Sequence, residues 1–257
     1  MLAVERYDII LKMIEDKGKV TVPELIEKLG VSSETIRRDL IVLNKKNKLK
    51  KVHGGAVIAD SSIYEPSYND RTRINIKAKE RIGMLAASYI KDFDVIEIDV
   101  GTTALEVAKH INGVSEIKVI TNSIPALYIL IQKRDKGDFT GEIIFIGGSV
   151  DSHRLMTAGP SLMEQLKTLS FDKVFLGVTG LSEAGPMTYN IDEGYVQKML
   201  VENANEVFAL MDSSKVQKRS LYKYCDLNQV HYLITDDCEL PQNIKKLLEE
   251  HNIKWIK

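Results

Sequence analysis

Cysteine is nearly absent: the chain has only Cys225 and Cys238 in 257 residues. Their spacing fits neither a disulfide framework nor a zinc pattern, so a reduced, cytoplasmic setting is expected. The five histidines, His53, His110, His153, His231 and His251, are scattered. None pairs with a cysteine or carboxylate at metal-ligand spacing, so neither a metal site nor a cofactor is expected. No apolar run approaches the ~20 residues that span a bilayer, which argues against a membrane partner. The N-terminal stretch MLAVERYDII lacks a basic start, a long apolar core and a small-residue cleavage site, so no leader is expected. Net charge is also almost missing, at −1, and by itself argues neither for nor against nucleic acid.

What is present is an ordinary soluble composition, 44% hydrophobic and 28% charged, in a chain long enough for a sizeable core. One large domain, or a small domain followed by a larger one, both fit that length. The charge distribution favours the second. Between Arg37 and Lys51 stand Arg37, Arg38, Lys45, Lys46, Lys48, Lys50 and Lys51, opposed only by Asp39. The remainder is therefore net acidic, the pattern of a basic module attached to a body with another task.

The basic module has its own signals. Apolar Ile9, Ile10, Met13 and Ile14 recur at helical spacing before Gly18. Lys19–Thr21 reads as a short strand. Thr21, Pro23 and Glu24 form a capping box, with Val20 and Leu25 as the staple, for a helix that stops at Gly30. Ser32 caps a second helix, stapled by Val31 and Ile36, whose apolar face is Ile36, Leu40 and Leu43. Glu34, Arg38 and Lys45 point away from that face, with Ser33 and Arg37 on one flank. Asn47 takes the place of the usual terminal glycine. KLKKVHGGAV then reads as two short strands around a His53-Gly54-Gly55 turn.

Two short helices, a tight turn and a basic hairpin make a winged helix-turn-helix, expected over residues 1–58. The front of a recognition helix must enter the major groove, where bulky residues would block approach. Ser32, which also serves as cap, Ser33 and Thr35 are expected to contact DNA, Ser33 and Thr35 being small enough to reach base edges or phosphates. Arg37 and Arg38 can fork onto guanine or clamp the backbone. Lys50, Lys51 and His53 add wing contacts to phosphate. Asp39 is expected to orient an arginine, because a free carboxylate is repelled by phosphate. The competing reading is a helical hairpin that binds nothing; the basic wing tells against it.

Residues 59–73 read as a linker, since ADSSIYEPSY has turn formers and no period. Arg71, Arg73, Lys77 and Lys79 nearby read as a solvated face. From Ile74 the pattern is helical, and beyond it short β-branched runs alternate with helices. The runs are residues 95–99, 117–121, 142–147, 173–178, 206–211 and 232–235, with helices such as 104–111 and 124–132 between them. That alternation predicts an α/β domain with a mainly parallel sheet over residues 74–257. Trp255 reads as edge-strand packing.

Ligands of such sheets bind at the carboxyl ends of strands. The first end is DVGTT: a glycine for close approach, then Thr102 and Thr103 with hydroxyls and N–H groups where a helix begins. The second is Thr121-Asn122-Ser123, the third Gly147-Gly148, and a later one is MDSSK with Asp212 and Lys215. Capping alone would favour such residues at strand-to-helix turns. Several in one sheet point to a small polar anion as ligand.

VSSETIRRDLIVL followed by KKVHGGAV resembles the N-terminal signature of DeoR-type transcriptional regulators. Ser32, Thr35, Arg37, Arg38, Asp39, Leu40, His53, Gly54, Gly55 and Ala56 match it. Asn47 and Lys51 depart from the usual glycine and arginine, and at Lys51 the bidentate fork is lost. EIDVGTT, TNS, GG, FLG, LMDSSK and ITD, in this order, resemble the sensor domain of the same family. The resemblance implies an α/β domain similar in fold to ribose-phosphate isomerase, and a phosphorylated sugar as effector. It implies that Gly101, Thr102 and Thr103 hold the phosphate, that Asp99, Thr121, Asn122, Ser123 and Lys215 surround the rest, and that Gly147, Gly148 and Asp192 complete the lining. It further implies a repressor of sugar utilisation, bound to double-stranded operator DNA and released by the effector. The sensor domain should form a dimer or tetramer, since one winged head makes few contacts.

Two departures affect the ligand site. Gln197 stands where the family usually has lysine, leaving Lys198 to serve, and Thr179 stands where an aspartate is common. The fold raises a rival, an isomerase-like enzyme with a DNA-binding head. Proton shuttling would need a base, but KVFLGVTG is followed by no carboxylate before Glu183. Asp192 and Glu193 are the only other candidates, so no catalytic residue and no enzyme activity is expected.

Overall fold

In the computed structural model of this chain the described residues are 2–46, 48–58 and 67–257. The chain divides into two compact units, Met1–Pro66 and Ser67–Lys257. In the first, α1 (Ala3–Lys17) leads through β1 (Lys19–Thr21) into α2 (Val22–Leu29) and α3 (Ser33–Lys45), followed by β2 (Leu49–Val52) and β3 (Gly55–Ile58). The caps fall where the local chemistry dictates. Thr21 N donates to Glu24 Oε2 at 2.8 Å while Glu24 N donates back to Thr21 Oγ1 at 3.4 Å. Thr35 N donates to Ser32 Oγ at 3.2 Å, which starts α3. Asn47, expected to end it, lies outside the described residues.

The three strands form an antiparallel sheet in the order β1-β3-β2, so β2 and β3 are the wing. The turn is His53-Gly54, and Gly55 already belongs to β3. Any larger residue at 55 would put its Cβ 2.1 Å from Val20 O, so the tight β1–β3 pairing requires glycine there. Ile10, Ile14, Val20, Leu25, Ile36, Leu40 and Leu49 close the core beneath, the apolar faces of all three helices.

The second unit begins earlier than the sequence suggests. Residues 67–73 are not linker: α4 (Tyr68–Arg71) is capped by Ser67, and Tyr68 is buried. An aromatic side chain burying its ring is what fixes that turn. The remainder of the expected linker, 59–66, lies outside the described residues. Then come α5 (Ile76–Ala87), β4 (Val95–Ile98), α6 (Ala104–His110), β5 (Val114–Thr121), α7 (Ile124–Asp135) and β6 (Phe139–Phe145). A hairpin of β7 (Ser149–Asp151) and β8 (Met156–Ala158) precedes α8 (Pro160–Leu166) and β9 (Phe171–Gly177). The chain continues with β10 (Gly180–Ser182), β11 (Gly185–Thr188), α9 (Ile191–Glu202), β12 (Ala204–Leu210) and β13 (Tyr222–Lys223). It ends with β14 (Tyr232–Ile234), α10 (Gln242–Glu250) and β15 (Lys254–Ile256).

Seven strands form one sheet, β15-β14-β12-β9-β4-β5-β6, with every neighbouring pair parallel. All six sequence-expected runs are in it, and Trp255 sits on the edge strand β15. The strands are apolar along their length because both faces are covered. Val174 and Leu176 enter the layer with α8, α9 and α10, and Phe175 the layer with α5, α6 and α7. From β4 the chain winds outward through β5 and β6, then resumes at β9 on β4's other side. The β4–β9 boundary is therefore the topological switch point, where a crevice opens at the carboxyl ends.

Candidate functional site

The outer face of α3 carries the expected polar set. Ser32, Ser33, Arg37 and Arg38 are exposed, and Thr35 is half-buried. Ser32 Oγ and Thr35 Oγ1 lie 3.0 Å apart, so those hydroxyls serve the cap. Arg37 bonds to no described residue. Arg38 Nε lies 3.3 Å from Glu34 Oε1, a pair 77% and 64% exposed. Such a pair contributes little and is readily given up to a phosphate. Lys50, Lys51 and His53 are exposed on the adjoining wing.

Asp39 points inward, where Arg6 grips it with two bonds, Nε to Oδ2 at 2.6 Å and Nη2 to Oδ1 at 3.0 Å. The carboxylate does orient an arginine, but one from α1, 33 residues away in sequence and not anticipated from it. This fork fixes α3 against α1. A second unforeseen link is Lys51 N donating to Asn44 Oδ1 at 2.7 Å, which ties the wing strand to the end of α3. Asn44 carries no sequence signal of its own beyond being a polar residue on a helix.

In the second unit the polar strand ends gather along one edge. Asp99 lies at the switch point and is buried. Its carboxylate accepts from Val100 N at 2.7 Å, Gly177 N at 3.0 Å and Gln197 Nε2 at 2.7 Å. It thus clamps β4 to β9. Burial pushes this carboxyl up to about 6, against the opposing pull of the Gln197 amide, the two N–H groups and Arg71. The folded state therefore holds this proton more tightly than the unfolded chain. The stability Asp99 contributes is full below the ordinary aspartate range, near pH 4, and is lost as pH rises through about 6. Asp99→Asn should gain stability relative to wild type over that window. Urea unfolding of both proteins at pH 5 and pH 7 measures the difference; a difference independent of pH would contradict the assignment.

Beyond Asp99, Gly101 has φ +116°, a backbone open chiefly to glycine, and a Cβ there would meet nothing within 4 Å. The turn thus presents open backbone. Thr102 is buried and Thr103 half-buried, and neither hydroxyl is engaged by a described residue. The neighbouring ends are more committed. Thr121 Oγ1 donates to Ile98 O at 2.7 Å, and Ser123 Oγ accepts from Ala126 N at 3.3 Å as the cap of α7. Asn122 Nδ2 donates to Thr157 O at 2.8 Å, while its buried Oδ1 has no partner. Gly148 serves the hairpin: a Cβ there would lie 2.5 Å from Ala158 O. Gly147 is half-buried beside it.

After β12, Asp212 is buried and accepts from Asn75 Nδ2 at 2.9 Å and Ser214 N at 3.0 Å; Lys215 follows, half-buried. Asp192 is exposed, while Glu193 is buried and accepts from Thr188 Oγ1 at 3.2 Å. Lys198 does not replace the lysine lost at 197. Gln197 is fully buried against Asp99 and Gly177, but Lys198, ~100° further round α9, is exposed and lies 3.9 Å from Glu202. The solvated basic face also needs correction. Lys79 is 6% exposed, folded inward with its Nζ donating to Arg71 O. Nothing local could have shown this, because its burial depends on how α5 lies on α6.

A winged helix-turn-helix in one unit, and a parallel sheet with polar turns at its switch point in the other, define a transcription regulator with a ligand sensor. The DeoR-like helix-turn-helix domain matches residues 6–62 and the DeoR C terminal sensor domain matches residues 74–237. The chain belongs to the DeoR family of transcriptional regulators. It is 35% identical to the HTH-type transcriptional repressor GlcR of Bacillus subtilis, over 100% of this chain and 96% of that one. The lactose phosphotransferase system repressor of Staphylococcus epidermidis is 32% identical over 94% of this chain and 95% of its own. These relatives are repressors, not enzymes. Among solved structures, ribose 5-phosphate isomerase A of Methanocaldococcus jannaschii shares 18% identity over 56% of each chain, with a TM-score of 0.40. At that level the fold class rests on the strand order given above.

Proposed function

We propose that this protein represses a sugar-utilisation operon. In this reading it binds double-stranded operator DNA as a cytoplasmic homo-oligomer, and it is released when a phosphorylated sugar occupies the crevice beside Gly101, Thr102 and Thr103. The observation that carries the DNA reading is the outer face of α3. Arg37 and Arg38 stand exposed behind small Ser33 and Thr35, the wing adds Lys50, Lys51 and His53, Asp39 is turned inward onto Arg6, and Glu34 is held in an exposed pair with Arg38. The effector reading rests on two unengaged threonine hydroxyls and an open glycine turn at the switch point. In this reading Asp99, Asn122, Asp212 and Lys215 surround the bound ligand, Thr121, Ser123, Gly147 and Gly148 hold the walls of the crevice, and Asp192 completes its lining. The repressor names borne by relatives along nearly the whole chain agree with the DNA reading. Among the described residues no helix is long and apolar enough to cross a membrane.

Catalysis is disfavoured because the turn after β9 is Val178-Thr179, without a base, and Asp99 is held by three donors. The test has two arms. Operator fragments from the neighbouring promoter should bind with affinity that falls as salt rises, with a log–log slope of about −0.9 per phosphate contact. A panel of phosphorylated sugars should contain one that raises the melting temperature and releases the fragment without being consumed. Absence of binding at low salt sinks the DNA reading, and turnover of a sugar phosphate sinks the sensor reading.

A further inference from the structure

We propose that Lys79 is a ligand-binding residue, whose ammonium receives the anionic group of a phosphate ester between the Gly101–Thr103 turn and the Asp212 strand end. The proposal rests on the crevice being the effector site, and it adds a second cation, from α5, to the Lys215 that follows β12.

Its position follows from the packing of two helices. Asn75, just before α5, bonds to Asp212 at 2.9 Å, which anchors the start of α5 at the carboxyl edge of the sheet. α6 starts at the same edge, directly after β4, and lies in the same layer. The two therefore run side by side in the same direction. Their register is set at Gly83, where an added Cβ would lie 2.3 Å from Glu106 Cβ. One turn back from Gly83 toward that edge stands Lys79, and one turn back from Glu106 the chain reaches the Thr102–Thr103 turn that starts α6. The charged neighbours of Lys79 are Asp212, Lys215, Arg71 and Glu106.

None of those neighbours forms an ion pair with Lys79, although Asp212 and Glu106 favour its charge from further off. Asp212 is committed to Asn75 and Ser214, and Glu106 pairs with Lys109 at 2.7 Å. Arg71 and Lys215 are cations. Among the described residues Lys79 forms no ion pair, and its ammonium bonds only to the neutral carbonyl of Arg71. An ammonium carries three donors, and a buried one without an anion is costly to keep. Burial pulls its pKa down to about 8, so it is still charged at neutral pH. A phosphate monoester would supply both a directly bonded anion and several acceptors, beside two threonine hydroxyls that lack partners among the described residues.

The alternative role is a brace: Arg71 ends α4, and a cation at a helix end favours its carbonyls. Full-length wild type, Lys79→Gln, Lys79→Arg and the Thr102→Ala/Thr103→Ala double variant are melted with increasing inorganic phosphate. Wild type and Lys79→Arg should be stabilised, and Lys79→Gln should need about tenfold more phosphate or more for the same shift. If Lys79→Gln keeps the wild-type phosphate response while the threonine variant loses it, Lys79 is only a brace and the crevice reading survives. If no variant alters the response, or wild type shows none, both fall. Should Lys79→Gln not fold, 15N-lysine spectra of wild type decide. The Nζ signal absent from Lys79→Arg should move on adding phosphate, and an unmoved signal overturns the proposal.

Discussion

Arg37→Ala combined with Arg38→Ala is expected to abolish operator binding while leaving the N-terminal unit folded. A bidentate arginine–guanine contact is worth about 1–3 kcal/mol of discrimination. Losing two per head weakens binding by at least roughly thirtyfold, and each further head of an oligomer compounds the loss. Stability should barely change. Both arginines are exposed, the Ser32 cap and the Ile36–Leu40 face are untouched, and surface changes of this kind usually stay within ±0.5 kcal/mol. Asp39→Ala should behave in the opposite order. It removes the two bonds by which Arg6 holds the Asp39 carboxylate, so the melting temperature falls, and operator binding is lost only because α3 is no longer held against α1. Footprinting and thermal melts on the same preparations separate these outcomes. A footprint retained by the double arginine variant would remove α3 from the role of recognition helix.

The contrast between Asp39 and its neighbours shows how far the sequence could be read. The caps at Thr21 and Ser32 and the wing turn are local events, fixed by residues within four positions, and they stood in plain view. The six strand runs were equally legible, since a strand covered on both faces is apolar throughout. That Asp39 needs an arginine followed from the repulsion between carboxylate and phosphate, but the partner came from 33 residues upstream. The same limit applies at the crevice. Which polar strand ends exist could be read, but not that Asp99 would be held by Gln197, 98 residues later, or that Lys79 would be folded under Arg71. Charged residues in a run look solvated until the packing of two helices is known. The small antiparallel pairings β7–β8 and β10–β11–β13 escaped for another reason. Their strands are 2–4 residues long, too short for a period to show.

Thr102→Ala with Thr103→Ala should leave operator binding at its wild-type strength and remove the response to effector. Neither hydroxyl bonds to a described residue, so the protein forfeits no internal bond and should fold normally. A hydrogen bond to a charged group is worth about 1.5–3 kcal/mol, which makes two of them worth about 3–6 kcal/mol. Moving a population from 1:99 to 99:1 requires ~5.5 kcal/mol of differential affinity between the two states. Two bonds made only in the ligand-closed crevice would thus supply most of the switching energy, and their loss should raise the half-release concentration by about a hundredfold or more. A single threonine variant should fall between, because one bond alone leaves the shift incomplete. Titrating a sugar phosphate into the preformed protein–operator complex reads this directly. If the double variant lets go of DNA at the wild-type concentration, the phosphate group is held elsewhere, and the open turn at Gly101 exists only to start α6.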